Sequence, residues 1–164
     1  MSHSQDSAQV GSDPLDRMLC FALYAAARAT NRRYIALLAP WGLTYPQYLV
    51  LVLLWSHPSL SVKEVAGHLM LDSGTTSPLI RRLETRGFIT RGRSATDERA
   101  VIVSLTDAGT ALRDELAHIP GCVAEATGLT PADGKAALSI LHGVARTLSS
   151  APAPGDPLDE RHSQ

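Results

Sequence analysis

The chain has 164 residues, 45% apolar and 19% charged, with a formal charge of −1. That is the make-up of an ordinary globular protein with enough residues for a real core, and it excludes both a low-complexity chain and a wholesale polycation. The two cysteines stand 102 positions apart with no CxxC pair, which excludes a zinc ribbon and a disulfide scaffold.

The first dozen residues are polar, unlike a secretory leader. The apolar run Leu49 to Trp55 is far too short to span a bilayer. A cytoplasmic protein with reduced thiols and no membrane partner is expected. Residues 1–12 read as a disordered arm, and 150–164, with Pro152, Pro154, Gly155 and Pro157, as a disordered tail. One folded domain is expected over 13–149.

Asp13-Pro14 is a helix start, a capping Asp with Pro at the first helical position. Leu15, Met18, Leu19, Ala22, Leu23 and Ala26 follow at helical spacing, predicting a helix to about Leu38 that ends by Gly42. A second helix starts near Thr44 or Tyr45, is apolar on most sides, and ends by Pro58; it reads as a central buried helix. Ser61 and Glu64 form a capping box opening a short third helix to about His68. Asp72 or Ser73 caps a fourth, from Gly74 to about Arg86, which Gly87 ends.

Phe88–Arg91 and Ala100–Ser104 read as strands of a hairpin, with 92–99 as its loop. Thr106 caps a long fifth helix that Pro120-Gly121 should kink or break. Thr130-Pro131 opens a last helix ending near Leu148.

This order predicts a mainly α fold with a two-stranded β wing, a winged helix-turn-helix. The DNA-binding lobe is expected over about 44–104. Helices over about 14–38 and 106–148 are too apolar to stand alone and are expected to form a symmetric homodimer.

From Arg81 to Arg99 six arginines stand against three acids, a local excess of +3 on a nearly neutral chain. Such a strip suits a nucleic-acid surface. The fourth helix is the expected recognition helix. Small residues at its start, Ser73, Gly74, Thr75 and Ser77, let the backbone approach DNA closely and offer hydroxyls to phosphates. Arg81 should point towards base edges or phosphate, and Arg82 towards phosphates. Asp97 and Arg99 could pair across the wing tip, and one of Arg91, Arg93 or Arg99 should reach a minor groove. Two such helices on a twofold imply palindromic double-stranded DNA.

Cys20 lies in the first helix among Leu19, Phe21 and Leu23. A buried thiol in apolar surroundings is inert unless hydrogen-bond donors face it. The start proposed at Asp13 puts it two turns into the helix, where the dipole helps little. Tyrosine phenols are candidate donors: Tyr24 at i+4, Tyr34 at the end of the first helix, and Tyr45 at the start of the second. An apolar pocket with such donors would suit an organic peroxide better than hydrogen peroxide. The six histidines (3, 57, 68, 118, 142 and 162) share no i, i+4 spacing, so neither a metal nor a cofactor is expected. Arg28, at i+8 from Cys20, is too little support for a thiol peroxidase, and no enzyme is expected.

The stretch DSGTTSPLIRRLETRGFITRGRSATDERAVIVSLTDAG resembles the DNA-binding core of the MarR family. LCFALYAAAR and LTYPQYLVLVLLW are similar to its organic-hydroperoxide-sensing OhrR branch. The likeness spans about Leu15 to Pro120. It implies a DNA-binding repressor in which Ser73, Thr75, Ser77 and Arg81 carry DNA contacts and the Asp97-x-Arg99 pattern shapes the wing. It also implies that Cys20 is the redox sensor, that Tyr34 and Tyr45 bond to it across the dimer, and that an organic hydroperoxide is the inducer. Cys122 matches a region where some relatives carry a resolving cysteine that closes an intersubunit disulfide. The alternative is a regulator of the same family induced by a non-covalently bound phenolic ligand, with Cys20 passive.

Overall fold

The computed structural model describes residues 13–93 and 100–151. The arm over 1–12, the tail from 152 on, and the hairpin tip with Asp97 and Arg99 lie outside the described residues. The chain divides into two compact units, up to Val123 and from Ala124 onward.

The Asp13 cap forms as expected, with Leu15 N donating to its carboxylate at 2.9 Å. It opens only a short 3-10 turn, Pro14–Arg17. Met18 is extended, and helix α1, Leu19–Leu38, begins after it. A cap fixes where a helical turn begins, not how long it lasts. Cys20 is therefore in the first turn of α1, among peptide N–H groups that lack helical acceptors, and not two turns in. A 3-10 turn, Ala39–Trp41, and Gly42 at φ 59° end the run, in the left-handed region where glycine carries no steric cost.

Helix α2, Tyr45–Ser56, starts with a capping box between Thr44 and Gln47. It buries Tyr48, Val50, Leu51 and Leu54, and the core closes around it: Leu38 and Leu43 before it, Leu60, Val65, Ile80 and Leu83 after it, Ile89 and Val103 from the sheet, and Leu112, Leu116 and Ile119 beyond. This confirms the central buried helix read from its run of apolar residues.

Strand β1, Ser59–Ser61, precedes α3, Val62–Leu69, whose cap is the expected Ser61–Glu64 box. Asp72 caps α4, Ser73–Thr85. Strands β2, Ile89–Arg93, and β3, Val101–Leu105, form the hairpin, with Arg91 opposite Val103 and Gly92 opposite Ile102. The wing is larger by one strand than expected. β1 pairs antiparallel to β3, Leu60 opposite Val103, and the sheet order is β1-β3-β2. Ser-Leu-Ser is too short to carry a strand period of its own; the unpaired edge of β3 supplies its order.

Helix α5, Asp107–Leu116, starts at the foot of the wing. Thr106 donates its backbone N–H to Phe88 O at 3.1 Å and its hydroxyl to Gly87 O at 2.6 Å. Gly109 faces the same Phe88 carbonyl: a Cβ there would lie 2.0 Å from Phe88 O. The carbonyl of Gly109 accepts from Trp55 Nε1 at 3.0 Å, so this glycine joins α2, α5 and the wing. The helix breaks at Ala117–His118. α6, Ile119–Ala126, carries Pro120 in its own first turn, so the expected break falls just before the proline. α7, Pro131–Ser150, is capped by Thr130 and outlasts its expected end by two residues. Among the described residues no single helix is long and apolar enough to cross a membrane.

Gly109→Ala should destabilise the protein by about 2 kcal/mol or more, because the new methyl meets rigid backbone. Gly67→Ala, with open space around the new Cβ on α3, should instead stabilise by about 0.5–1 kcal/mol. Urea unfolding of the two variants checks this; equal effects would remove the proposed lock at the wing foot.

Candidate DNA interface and cysteine site

The first turn of α4 is built around Asp72. Its carboxylate accepts from Thr75 N at 2.7 Å and from Thr75 Oγ1 at 2.9 Å. Those bonds hold its carboxyl below the usual carboxylate range. Thr76 is fully buried and donates its hydroxyl to Asp72 O at 2.8 Å. Thr75 and Thr76 thus point opposite ways, one outward and one into the core. Ser73, Gly74, Thr75, Ser77, Arg81 and Arg82 are all exposed, whereas Ile80 and Leu83 of the same helix are buried.

The arginines of the basic strip have different surroundings. Arg93, at the end of β2, is exposed. Arg91 pairs with Glu84 of α4, Nη2 to Oε2 at 2.6 Å and Nε at 2.7 Å, and so ties the wing to the helix. Arg86 turns the other way. It donates to Gly42 O at 2.8 Å and to Trp41 O, and lies over the Phe88 ring at 4.9 Å. Charge counting cannot separate an arginine facing solvent from one braced against carbonyls. Only the position of Arg86 at the end of α4, next to the glycine that stops it, hinted at the difference.

A cleft of about 560 Å³ lies between α3, α4 and the sheet, bordered by Lys63, Ser73, Ser77, Ile80, Arg91 and Val101. Ser73 and Ser77 belong both to this cleft and to the exposed start of α4.

Cys20 is exposed and Cys122, in α6, is half-buried; both are free thiols. Tyr24 is exposed, and its hydroxyl accepts from Arg28 Nη1 at 2.8 Å. Tyr34 and Tyr45 are stacked, ring centroids 3.9 Å apart and 16° from parallel, with Tyr48 5.7 Å from Tyr34. Burial pushes the Tyr34 phenol up to about 12, and the neighbouring phenols of Tyr45 and Tyr48 add to the shift. Burial raises Tyr45 as well. Both rings are half-buried between α1 and α2.

The structure thus brings Tyr34 and Tyr45 together and leaves Cys20 apart. Cys20 and Tyr34 stand fourteen residues apart on one continuous helix, a rise of about 21 Å.

A short helix, a tight connection, a second helix with an exposed polar start, and a paired hairpin together make a winged helix-turn-helix, a DNA-binding architecture. Residues 43–101 match the model of the MarR family. With the relatives described next, this shows that the chain belongs to the MarR family of transcriptional regulators, which are DNA-binding regulators and not enzymes.

The HTH-type transcriptional regulator TtmR of Methylorubrum extorquens is 48% identical over 137 residues, covering 82% of this chain and 70% of that protein. The organic hydroperoxide resistance transcriptional regulator of Bacillus subtilis is 43% identical over 134 residues, covering 82% of this chain and 91% of that one. Among solved structures, AbfR of Staphylococcus epidermidis superposes with a TM-score of 0.70 at 30% identity, covering 81% of this chain and 92% of that one. Its reduced form bound to DNA gives 0.67 at 32% identity, covering 79% and 91%. Its overoxidised form bound to DNA gives 0.67 at 31%, covering 79% and 90%. The disulfide form gives 0.57 at 30%, covering 80% and 87%.

Asp72 makes the start of α4 sensitive to acid. A carboxyl held below its unfolded value stabilises the fold fully above that unfolded value, near 4. The contribution is lost as pH falls through the lower folded value. The melting temperature of Asp72→Ala should therefore lie below that of wild type by a constant margin from pH 5 to 8, and the margin should narrow below about pH 4. Asp72→Asn keeps an acceptor and removes the titration. Thermal melts from pH 3 to 8 test this; a margin independent of pH would show that the charge is immaterial.

Proposed function

We propose that this regulator is a homodimeric repressor, acting in the cytoplasm, that releases DNA when an organic hydroperoxide oxidises Cys20. The observation that carries the reading is the layout of α1. An exposed thiol sits at its start and a stacked pair of phenols at its end, too far apart to meet in one chain. A second copy lying antiparallel along α1 would bring each sulfur to the other copy's Tyr34 and Tyr45.

The exposed apolar side chains Leu15, Met18 and Leu19, with Leu19 66% exposed, support such a seam. So does α7, whose residues are all at least partly exposed, with Ile140 at 65% and Leu148 at 68%. The strong likeness to a Bacillus regulator of organic hydroperoxide resistance supports the choice of inducer.

In the proposed chemistry the Cys20 thiolate attacks the peroxide oxygen. The O–O bond breaks, the cysteine becomes a sulfenic acid, and the alcohol leaves after taking a proton. The Cys122 thiol then displaces water from the sulfenic acid to close a disulfide between copies. AbfR is known on DNA in both reduced and overoxidised forms and separately as a disulfide. That pattern favours the disulfide, over further oxidation of one sulfur, as the state that lets go. The reduced dimer reads a palindrome through Ser73, Gly74, Thr75, Ser77, Arg81 and Arg82 of α4, with Arg93, Asp97 and Arg99 at the wing.

A second reading draws on the cleft beside α4. A small anionic or phenolic ligand there, next to Lys63 and Arg91, would compete with DNA for Ser73 and Ser77.

The test uses a duplex selected from a random pool by the reduced protein, with cumene hydroperoxide as oxidant. Wild type should lose at least about tenfold in affinity, and Cys20→Ser should stay bound. Cys122→Ser should form no cross-linked dimer on a non-reducing gel. If Cys20→Ser releases DNA as wild type does, the redox reading fails. If wild type ignores peroxide yet releases DNA to salicylate, the cleft reading takes its place.

A further inference from the structure

Arg86 belongs to the basic strip by sequence but not by geometry. It sits at the C-terminal end of α4, where its guanidinium donates to Gly42 O and Trp41 O, the carbonyls of the corner between α1 and α2. Its other face lies on Phe88, at the base of the wing. A planar fork that meets two carbonyls at once fixes direction as well as distance.

The same corner is held from a third side. Trp41 Nε1 donates to Glu115 Oε2 of α5 at 2.7 Å, and the Trp41 ring lies 6.2 Å from that of His118. Glu115 thus reaches α4 in two steps, through Trp41 and then Arg86. α4 therefore has one end presented to DNA and the other clamped.

We infer that Arg86, Trp41 and Glu115 form a brace that sets the pitch of α4 from α5, with Arg86 and Glu115 as positioning residues for DNA binding and not contacts to it. The inference rests on α4 being the DNA-reading helix. Binding of a lever-like helix depends on its angle at the far end, so freeing the clamp costs affinity although no contact to DNA is removed.

Two signatures separate a brace from a contact. An arginine lost from a phosphate contact lowers the slope of log K against log salt by about one; a positioning arginine leaves the slope unchanged. The second signature is a sign. Glu115 is an anion, so by charge alone its removal favours DNA binding, whereas loss of a brace weakens it.

The experiment measures binding of the pool-selected duplex by fluorescence anisotropy from 50 to 300 mM salt, with Arg81→Ala as the reference contact. Arg86→Ala should bind about tenfold more weakly with an unchanged slope. Glu115→Ala should bind about threefold more weakly, and Glu115→Gln, which keeps the acceptor for Trp41, should restore wild-type affinity. Trp41→Phe, which removes only the donor, should match Glu115→Ala.

A slope lowered by one in Arg86→Ala, or affinity within twofold of wild type, overturns the proposal. So does a Glu115→Ala that binds as well as or better than wild type. If Arg86→Ala fails to fold, the variants at exposed Glu115 and half-buried Trp41 decide alone. If Arg81→Ala changes neither affinity nor slope, the reading of α4 as the DNA helix falls, which is distinct from failure of the brace.

Discussion

A rigid helix keeps its two ends apart. α1 runs unbroken for twenty residues, so the thiol at its start and the phenols at its end are held about 21 Å from each other along its axis. No side-chain rotation closes that distance. The pairing of Cys20 with Tyr34 and Tyr45 is therefore a property of two chains or of none. The same helix passes directly into the Ala39–Trp41 turn and the Gly42 corner, and from there into α2, around which the core is built. The proposed sensing seam and the DNA-binding lobe share one continuous backbone.

The lobe itself is held at several points, each with local chemistry. Asp72 fixes the start of α4 through Thr75. Arg86 fixes its end through the Gly42 corner. Glu84 fixes its middle to the wing through Arg91. Thr106 and Gly109 fix the foot of the wing to α5. An exposed ion pair such as Glu84–Arg91 adds little stability on its own, but it removes freedom from the hairpin relative to the helix. These contacts tie α4, the hairpin and α5 to one another.

Much of this was legible in the chain. The caps at Asp13, Thr44, Ser61, Asp72, Thr106 and Thr130 sit where the residue types place them, because a cap is a local hydrogen bond between near neighbours. The stop at Gly42 and the buried character of α2 followed from glycine and from an all-round apolar run. What escaped was long-range. β1 exists only because β3 offers it an edge. Gly109 is special only because Phe88 O lies against it. Arg86 looked like any other arginine of the strip until the corner carbonyls were in view. For the cysteine, the sequence supplied the residue and the phenols, but the cap at Asp13 misplaced the helix start and hence the place of Cys20 along the helix. The roles of these side chains came from resemblance and stand as proposals.

The stacked phenols carry one more consequence. Tyr34, pushed up to about 12, keeps its hydrogen through every acidity a living cell meets. A group in that condition is a fixed donor: it neither acts as a base nor switches its polarity when the medium drifts. The phenol thus adds no charge change of its own as the medium drifts, even where an ordinary phenol, near 10, begins to ionise.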